Sequence, residues 1–220
     1  MPEPSELDPR LFRASALATA SRAVEGDAVW PPPGRLVELA GGLDDAVTSA
    51  AVEALARAQH DGAIAAWLQP ERGLLFPPDL AANGVDLDAL VVVQVPARPD
   101  GARRGRAPKH AGHELPKAAE LLLRSGAFDL LVLDLRPMPP PPGAWLGRLQ
   151  ALARTHRTRV LLLSDMAAPV AAGSTAMLRV VPRRRRERAA FVVEPRIVRD
   201  KLHDATAPPA AERAGPVGLL

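Results

Sequence analysis

The chain's apolar positions fall into short unbroken runs separated by longer stretches of three- and four-residue periodicity. The runs RLVELA (35–40), AIAAWLQ (63–69), ALVVVQV (89–95), DLLVLDL (129–135) and RVLLLSD (159–165) lack the polar alternation of a half-buried strand. Their length and continuity predict strands buried on both faces, as in a parallel sheet. Between them, DAVTSAAVEALARAQHDG, HELPKAAELLLRSG and AWLGRLQALARTH repeat Leu, Ala and Arg at helical spacing. Gly62 and Gly126 stand where C-terminal helix caps fall. The alternation predicts an α/β domain: a mainly parallel sheet flanked by helices, with right-handed crossovers. Two later runs, AMLRVV and FVVEPRIVR, are joined by a short Arg-rich link and predict antiparallel strands at the sheet edge.

Three regions follow. Residues 1–33 read as an N-terminal arm: an acidic start, an amphipathic helix LFRASALATASRAV, and WPPPG, whose Pro31–Pro33 stop a helix. Residues 34–201 form the core. Residues 202–220 have the composition of a disordered tail. Within the core, PARPDGARRGRAPKHAG (96–112) is a basic, Gly- and Pro-rich loop, and RPMPPPPGAW (136–145) reads as a rigid polyproline spacer.

Composition narrows the chemistry. The chain has 220 residues, 47% of them hydrophobic, enough for one domain with a real core. It has no Cys, which excludes disulfides, thiolate catalysis and Cys-based zinc sites. No apolar run approaches the ~20 residues that cross a bilayer, and MPEPSELDPR is unlike a secretory signal. The expectation is a soluble cytoplasmic protein without membrane partners. Net charge is +3, from 28 basic and 25 acidic residues, but Arg concentrates between Arg179 and Lys201. Aromatics are 3%, with no Tyr, so stacking platforms for single-stranded bases are scarce.

GRLVELAGGLDDAVTSAAVEAL (34–55) has the layout of a phosphate loop: a buried strand, a Gly-led turn, then a helix. The pattern G-x-x-x-x-G-K-[ST] is broken, however, at its second Gly and its Lys, where Ala46 and Val47 stand. From Gly34 to about Lys201 the chain resembles the RecA recombinase core. The resemblance is carried in order by GRLVELAG, AQHDG, GVDLDALVVVQ and LLRSGAFDLLVLDL. The short length, the missing Lys and the Arg-rich end resemble ImuA-type proteins, the RecA-related partners of an error-prone polymerase cassette in bacterial DNA-damage tolerance.

The resemblance implies a RecA-like phosphate-loop core and a vestigial nucleotide site. Gly41 matches the first Gly, Ala46 and Val47 take the places of the second Gly and the Lys, and Thr48 and Ser49 match the magnesium-holding hydroxyl pair. Glu71 falls at the water-activating glutamate, Asp134 at the Walker B aspartate, and Asp165 at a polar sensor of the γ-phosphate. Val47 supplies no charge, and Asp44 and Asp45 place carboxylates that repel a polyanion and are suited to cap the following helix. The expectation is therefore no enzymatic activity, no cofactor and no bound metal. The two DNA-contacting loops of RecA are replaced by RPMPPPPGAW and MAAPVAAGS, neither carrying a basic cluster, which argues against a RecA-type filament.

Other groupings are weaker. His110 and His113 lack an obvious third ligand, and the segment reads as a loop leading into a helix with Glu114 in its first turn. No Ser-His-Asp grouping is readable. Arg179, Arg183, Arg184, Arg185, Arg186 and Arg188 form the anion-binding candidate. Their run suits phosphate, an acidic protein partner, or merely a solvated hairpin. The resemblance implies a non-enzymatic accessory role in translesion synthesis, through contact with RecA, a Y-family polymerase-like protein of the same cassette, or both. The alternative is a DNA-binding module built on the Arg-rich segment.

Overall fold

A computed structural model describes residues 30–42, 45–71, 73, 75–96, 114–136, 138, 141–165, 178–187, 190–201 and 211–214. The arm helix at 11–24, the basic loop with His110 and His113, the MAAPVAAGS segment, Asp44 and Arg188 lie outside the described residues.

Five apolar runs become strands: β1 (Leu36–Gly41), β2 (Ala65–Pro70), β3 (Leu90–Val95), β4 (Leu130–Asp134) and β5 (Arg159–Asp165). They pair in parallel. The helices are α1 (Val47–His60), α2 (Pro77–Ala82), α3 (Glu114–Ser125) and α4 (Gly143–His156). C-terminal strands β6 (Leu178–Glu187), β7 (Ala190–Asp200) and β8 (Ala211–Ala214) complete an eight-stranded sheet of order β3-β2-β4-β5-β1-β6-β7-β8.

Strand alternation sorts the core into two layers. Val37, Leu39, Val132, Leu161 and Leu163 face α1, packing with its Ala51 and Leu55 and with Leu80 of α2. Leu36, Leu131, Leu133, Val160 and Leu162 face the opposite way, against Leu115 and Leu123 of α3 and Trp145, Leu146 and Leu149 of α4. Helices on both faces explain why the inner strands show no polar alternation; β3, expected from its apolar run to be buried on both faces, lies instead at the sheet edge with Val91 and Val92 exposed.

Gly62 ends α1 as its position predicts. Its φ is +81°, its N–H donates to Gln59, and Ala63 N–H reaches back to Ala58, the paired bonds of a Schellman cap. Gly126, with φ +66°, follows α3. The short helix α2 was not expected. Its signals were present: Pro at its first positions, Asp79 in the first turn and Gly84 just beyond the end.

The C-terminal strands differ from expectation in three ways. First, β6 and β7 are mutually antiparallel, as predicted, but β6 joins the sheet parallel to β1. Second, the arginines 183–186 are not a link between strands but lie within β6, paired to β7. Third, residues 211–214, placed by composition in a disordered tail, add β8 to β7.

The root of this hairpin is fixed by a buried polar cluster. Glu38, in the middle of β1, is fully buried. Its carboxylate accepts from Ser164 Oγ of β5 at 2.6 Å and from Arg179 Nε of β6 at 2.7 Å. An uncompensated carboxylate at this depth is costly, so Arg179→Met should destabilise the fold by about 3–5 kcal/mol in urea denaturation. Glu38→Met with Arg179→Met should cost less than Arg179→Met alone, because the stranded charge is gone. Equal losses would show that packing, not charge, sets the effect.

Candidate functional site

The chain leaves β1 toward β2 on one side of the sheet, whereas from β5 it crosses to β6 on the other. Such a reversal opens a crevice at the carboxyl ends of the strands. Here Gly41 at the end of β1 is in register with Asp165 at the end of β5, and β4 ends two residues earlier, with Asp134 in register with Leu163. Thr48, in the first turn of α1, meets Asp134 through one side chain, Arg136.

Arg136 lies two residues beyond Asp134 at the end of β4. Its Nε donates to Asp134 Oδ1 at 2.9 Å and its Nη2 to Oδ2 at 2.6 Å, a bidentate fork. The remaining Nη1 donates to Thr48 Oγ1 at 2.9 Å. The Arg136 backbone N–H also donates to Asp134 Oδ1, at 3.2 Å. The aspartate side chain is 5% exposed and the arginine 23%. A guanidinium thus bridges the carboxylate and the hydroxyl between which the RecA resemblance places a magnesium ion. Sequence reasoning missed this residue. The signal was a lone Arg two positions after Asp134, but its target on α1 is 88 residues away.

The turn after β1 closes on itself. Asp45 Oδ2 accepts the Gly42 N–H at 2.9 Å, so a carboxylate of the chain takes a donor at the head of the loop. This corrects the expected cap: α1 has Ala46 at its N-cap and no side-chain cap bond. Ala46 N–H donates instead to Pro182 O of β6 at 2.8 Å. Val47 is buried, and a Cβ at Gly41 would stand 2.5 Å from its Cγ2 and 2.6 Å from Asp45 Cβ. Gly41 is therefore required by the chain's own side chains, which crowd against it.

Glu71 sits exposed just past β2, its N–H donating to Val95 O. Among the described residues no hydrogen bond or ion pair joins it to the Arg136 bridge. Ser49 follows Thr48 in the first turn of α1, half-buried. Arg179, grouped by sequence with the anion-binding arginines, is committed to Glu38 and is 17% exposed; burial removes it from that surface. Arg183, Arg184, Arg185 and Arg186 are exposed. Arg183 Nη1 lies 3.5 Å from Asp45 Oδ1, joining the Arg run to the turn after β1.

These residues do not fit a magnesium–nucleotide complex. Magnesium would compete for Asp134 and Thr48 with a tethered cation held by three side-chain hydrogen bonds. Phosphate would meet the Asp45 carboxylate and the uncharged Val47 where a phosphate loop offers N–H groups and a Lys.

No protein-family model matches the chain. Over 104 residues, 47% of its length, it is 40% identical to RecA of Nocardioides sp., of which it covers 25%. Over 145 residues, 59% of its length, it is 32% identical to RecA of Salinispora tropica, of which it covers 37%. The chain thus spans well under half the length of these relatives. In solved structures its fold is similar to that of the flagellar accessory protein FlaH from Methanocaldococcus jannaschii. The TM-score is 0.53, covering 82% of this chain and 85% of that one, and the identity of 8% makes it a likeness of fold alone. The chain is RecA-like in sequence over about half its length, and its α/β fold is shared more widely.

Arg136→Ala should cost about 3 kcal/mol in chemical denaturation, because it leaves the Asp134 carboxylate buried without its counter-charge. Manganese should then raise the melting temperature of the variant and not of the parent, by binding the vacated position in the native state. Equal responses in the two proteins would show that the guanidinium does not hold a cation's place.

Proposed function

We propose that this chain is a RecA-like accessory protein of the DNA-damage response that acts through protein contacts and does not turn over ATP. The guanidinium bridging Asp134 and Thr48 carries the reading. Phosphoryl transfer depends on a positioned cation and on positive charge against the phosphate oxygens. In this chain the cation's ligands are engaged by Arg136, and Val47 replaces the residue that brings the charge. The similarity to RecA proteins supports a setting in DNA repair. The short core, the missing Lys and the Arg-rich end favour the ImuA type within that setting. The partners are then RecA, an error-prone Y-family polymerase, or both, and the process is translesion synthesis in the cytoplasm. No helix among the described residues is long and apolar enough to cross a membrane.

In a steady-state assay the protein should release no phosphate from ATP above background, with or without DNA. Magnesium-dependent turnover that disappears in Asp134→Asn would overturn the reading. Purified RecA or the polymerase should be retained by the full chain. Deletion of residues 1–29 should weaken that retention while leaving a cooperative thermal transition, because Trp30, which packs against the core, and β1 are kept. Loss of the transition would place the arm in the core instead.

A further inference from the structure

The charge of this protein is sharply divided. Residues 178–201 hold nine basic and three acidic side chains, whereas the other 196 residues hold 19 basic and 22 acidic. The basic segment is a β-ribbon that outruns its neighbour. β1 pairs with β6 only through residues 178–180, and the turn after β1 touches it again at Pro182 and Arg183. Past that contact, residues 184–187 have β7 on one side and no described strand on the other.

The two faces of this ribbon differ. On one, Arg183 lies near Asp45, and Arg185 is bound to Glu194 at 2.9 Å with Glu187 at 3.6 Å. The hydrogen bond that Arg185 donates to Glu194, then the charges of Glu194 and Glu187, hold the Arg185 pKa above its ordinary value. This face neutralises itself. By alternation the other face carries Arg184 and Arg186. Arg184 lies over the Phe191 ring at 5.3 Å, and Phe191 is the register partner of Arg186. Among the described residues no carboxylate pairs with either guanidinium.

The backbone adds a second requirement. Pro182 O turns toward the turn after β1, where it accepts from Ala46. By the same alternation Arg184 and Arg186 turn backbone groups to that side, and past the Asp45–Arg183 contact no described strand pairs with them. Carbonyls need N–H donors, which a peptide backbone supplies and a phosphodiester does not.

We propose that the β6 edge at residues 184–187 takes up an extended acidic segment of a protein partner as an added strand. Carboxylates two residues apart on that segment would meet Arg184 and Arg186. The proposal rests on the protein-contact reading and specifies its surface. Same-face positions on a strand repeat at about 6.8 Å, so the required pattern is acid-x-acid. The planar fork of each Arg pairs with carboxylate in two parallel bonds. Glu187 and Glu194 lie on the other face, paired to Arg185, so the choice of a peptide over duplex DNA rests on the open backbone edge beside Arg184 and Arg186.

The test uses the full chain and three probes. These are a synthetic peptide with Glu alternating with Val and Thr, an isomer with the glutamates in one block, and a 20-base-pair duplex. The alternating peptide should bind at least about tenfold tighter than the block isomer. N-methylation of the amides that face β6 should abolish the difference. Arg184→Glu with Arg186→Glu should remove binding by about tenfold or more, and Arg186→Glu alone should weaken it even if the double variant proves unstable. Equal affinity for the two peptides, or unchanged binding in both variants, would overturn the proposal. So would tighter binding of the duplex, with log K falling by about 0.9 per phosphate against log salt and lost in the same variants; the ribbon would then be a nucleic-acid surface. Retention of RecA or the polymerase by the parent and equally by Arg186→Glu would sink the ribbon proposal and leave the accessory reading standing. No retention by the parent, with intact discrimination between the peptides, would sink the accessory reading alone.

Discussion

A parallel sheet covered by helices on both faces must neutralise every charge it encloses from within, because water does not reach the middle strands. Three carboxylates in or beside β1 and β4 meet this constraint in three ways. Glu38 is held by Arg179 and Ser164 from the strands on either side. Asp134 is held by Arg136, which also reaches Thr48. Asp45 takes the Gly42 N–H and lies beside Arg183. In each case an arginine is drawn to a carboxylate, and the elements carrying the pair are joined.

The consequence is a crevice filled by the chain. In a working phosphate loop, nucleotide and cation bring the charges that the protein leaves open. Here Arg136 stands between the carboxylate and the hydroxyl, while Asp45 and Val47 crowd Gly41. The same turn is stitched to β6 through Ala46 N–H to Pro182 O and through Asp45 to Arg183. Residues that would address a ligand thus connect the central sheet to the Arg-bearing ribbon. A partner seated on that ribbon would lie next to the closed turn, so any coupling between the two passes through a few named contacts.

Much of the architecture was legible in the chain. Unbroken apolar runs mark five parallel strands, since strands covered on both faces favour apolar residues at most positions, although β3 at the sheet edge keeps the pattern with Val91 and Val92 exposed. Gly62 and Gly126 mark helix ends through positive φ. The chemical weakness of the nucleotide site was equally readable, because Val47 has no charge in any conformation. Less visible was α2, whose six residues hold too few positions for a periodicity to show. Strand β8 was hidden because AERA has no apolar run and exists as a strand through its pairing to β7.

The sequence by itself determined the five parallel strands and three longer helices, the two-sided burial of the inner strands, the missing phosphate-loop lysine and the concentration of arginine near the C-terminal end. These are properties of local pattern and composition. Which arginines are engaged was decided by tertiary structure. Arg179 and Arg183 have the same chemistry four residues apart, yet one is 17% exposed on Glu38 and the other 60% exposed. Arg136 finds Thr48 across 88 residues. Such pairings depend on which strand ends the crossovers bring together, and long-range register is not written in any short stretch of residues.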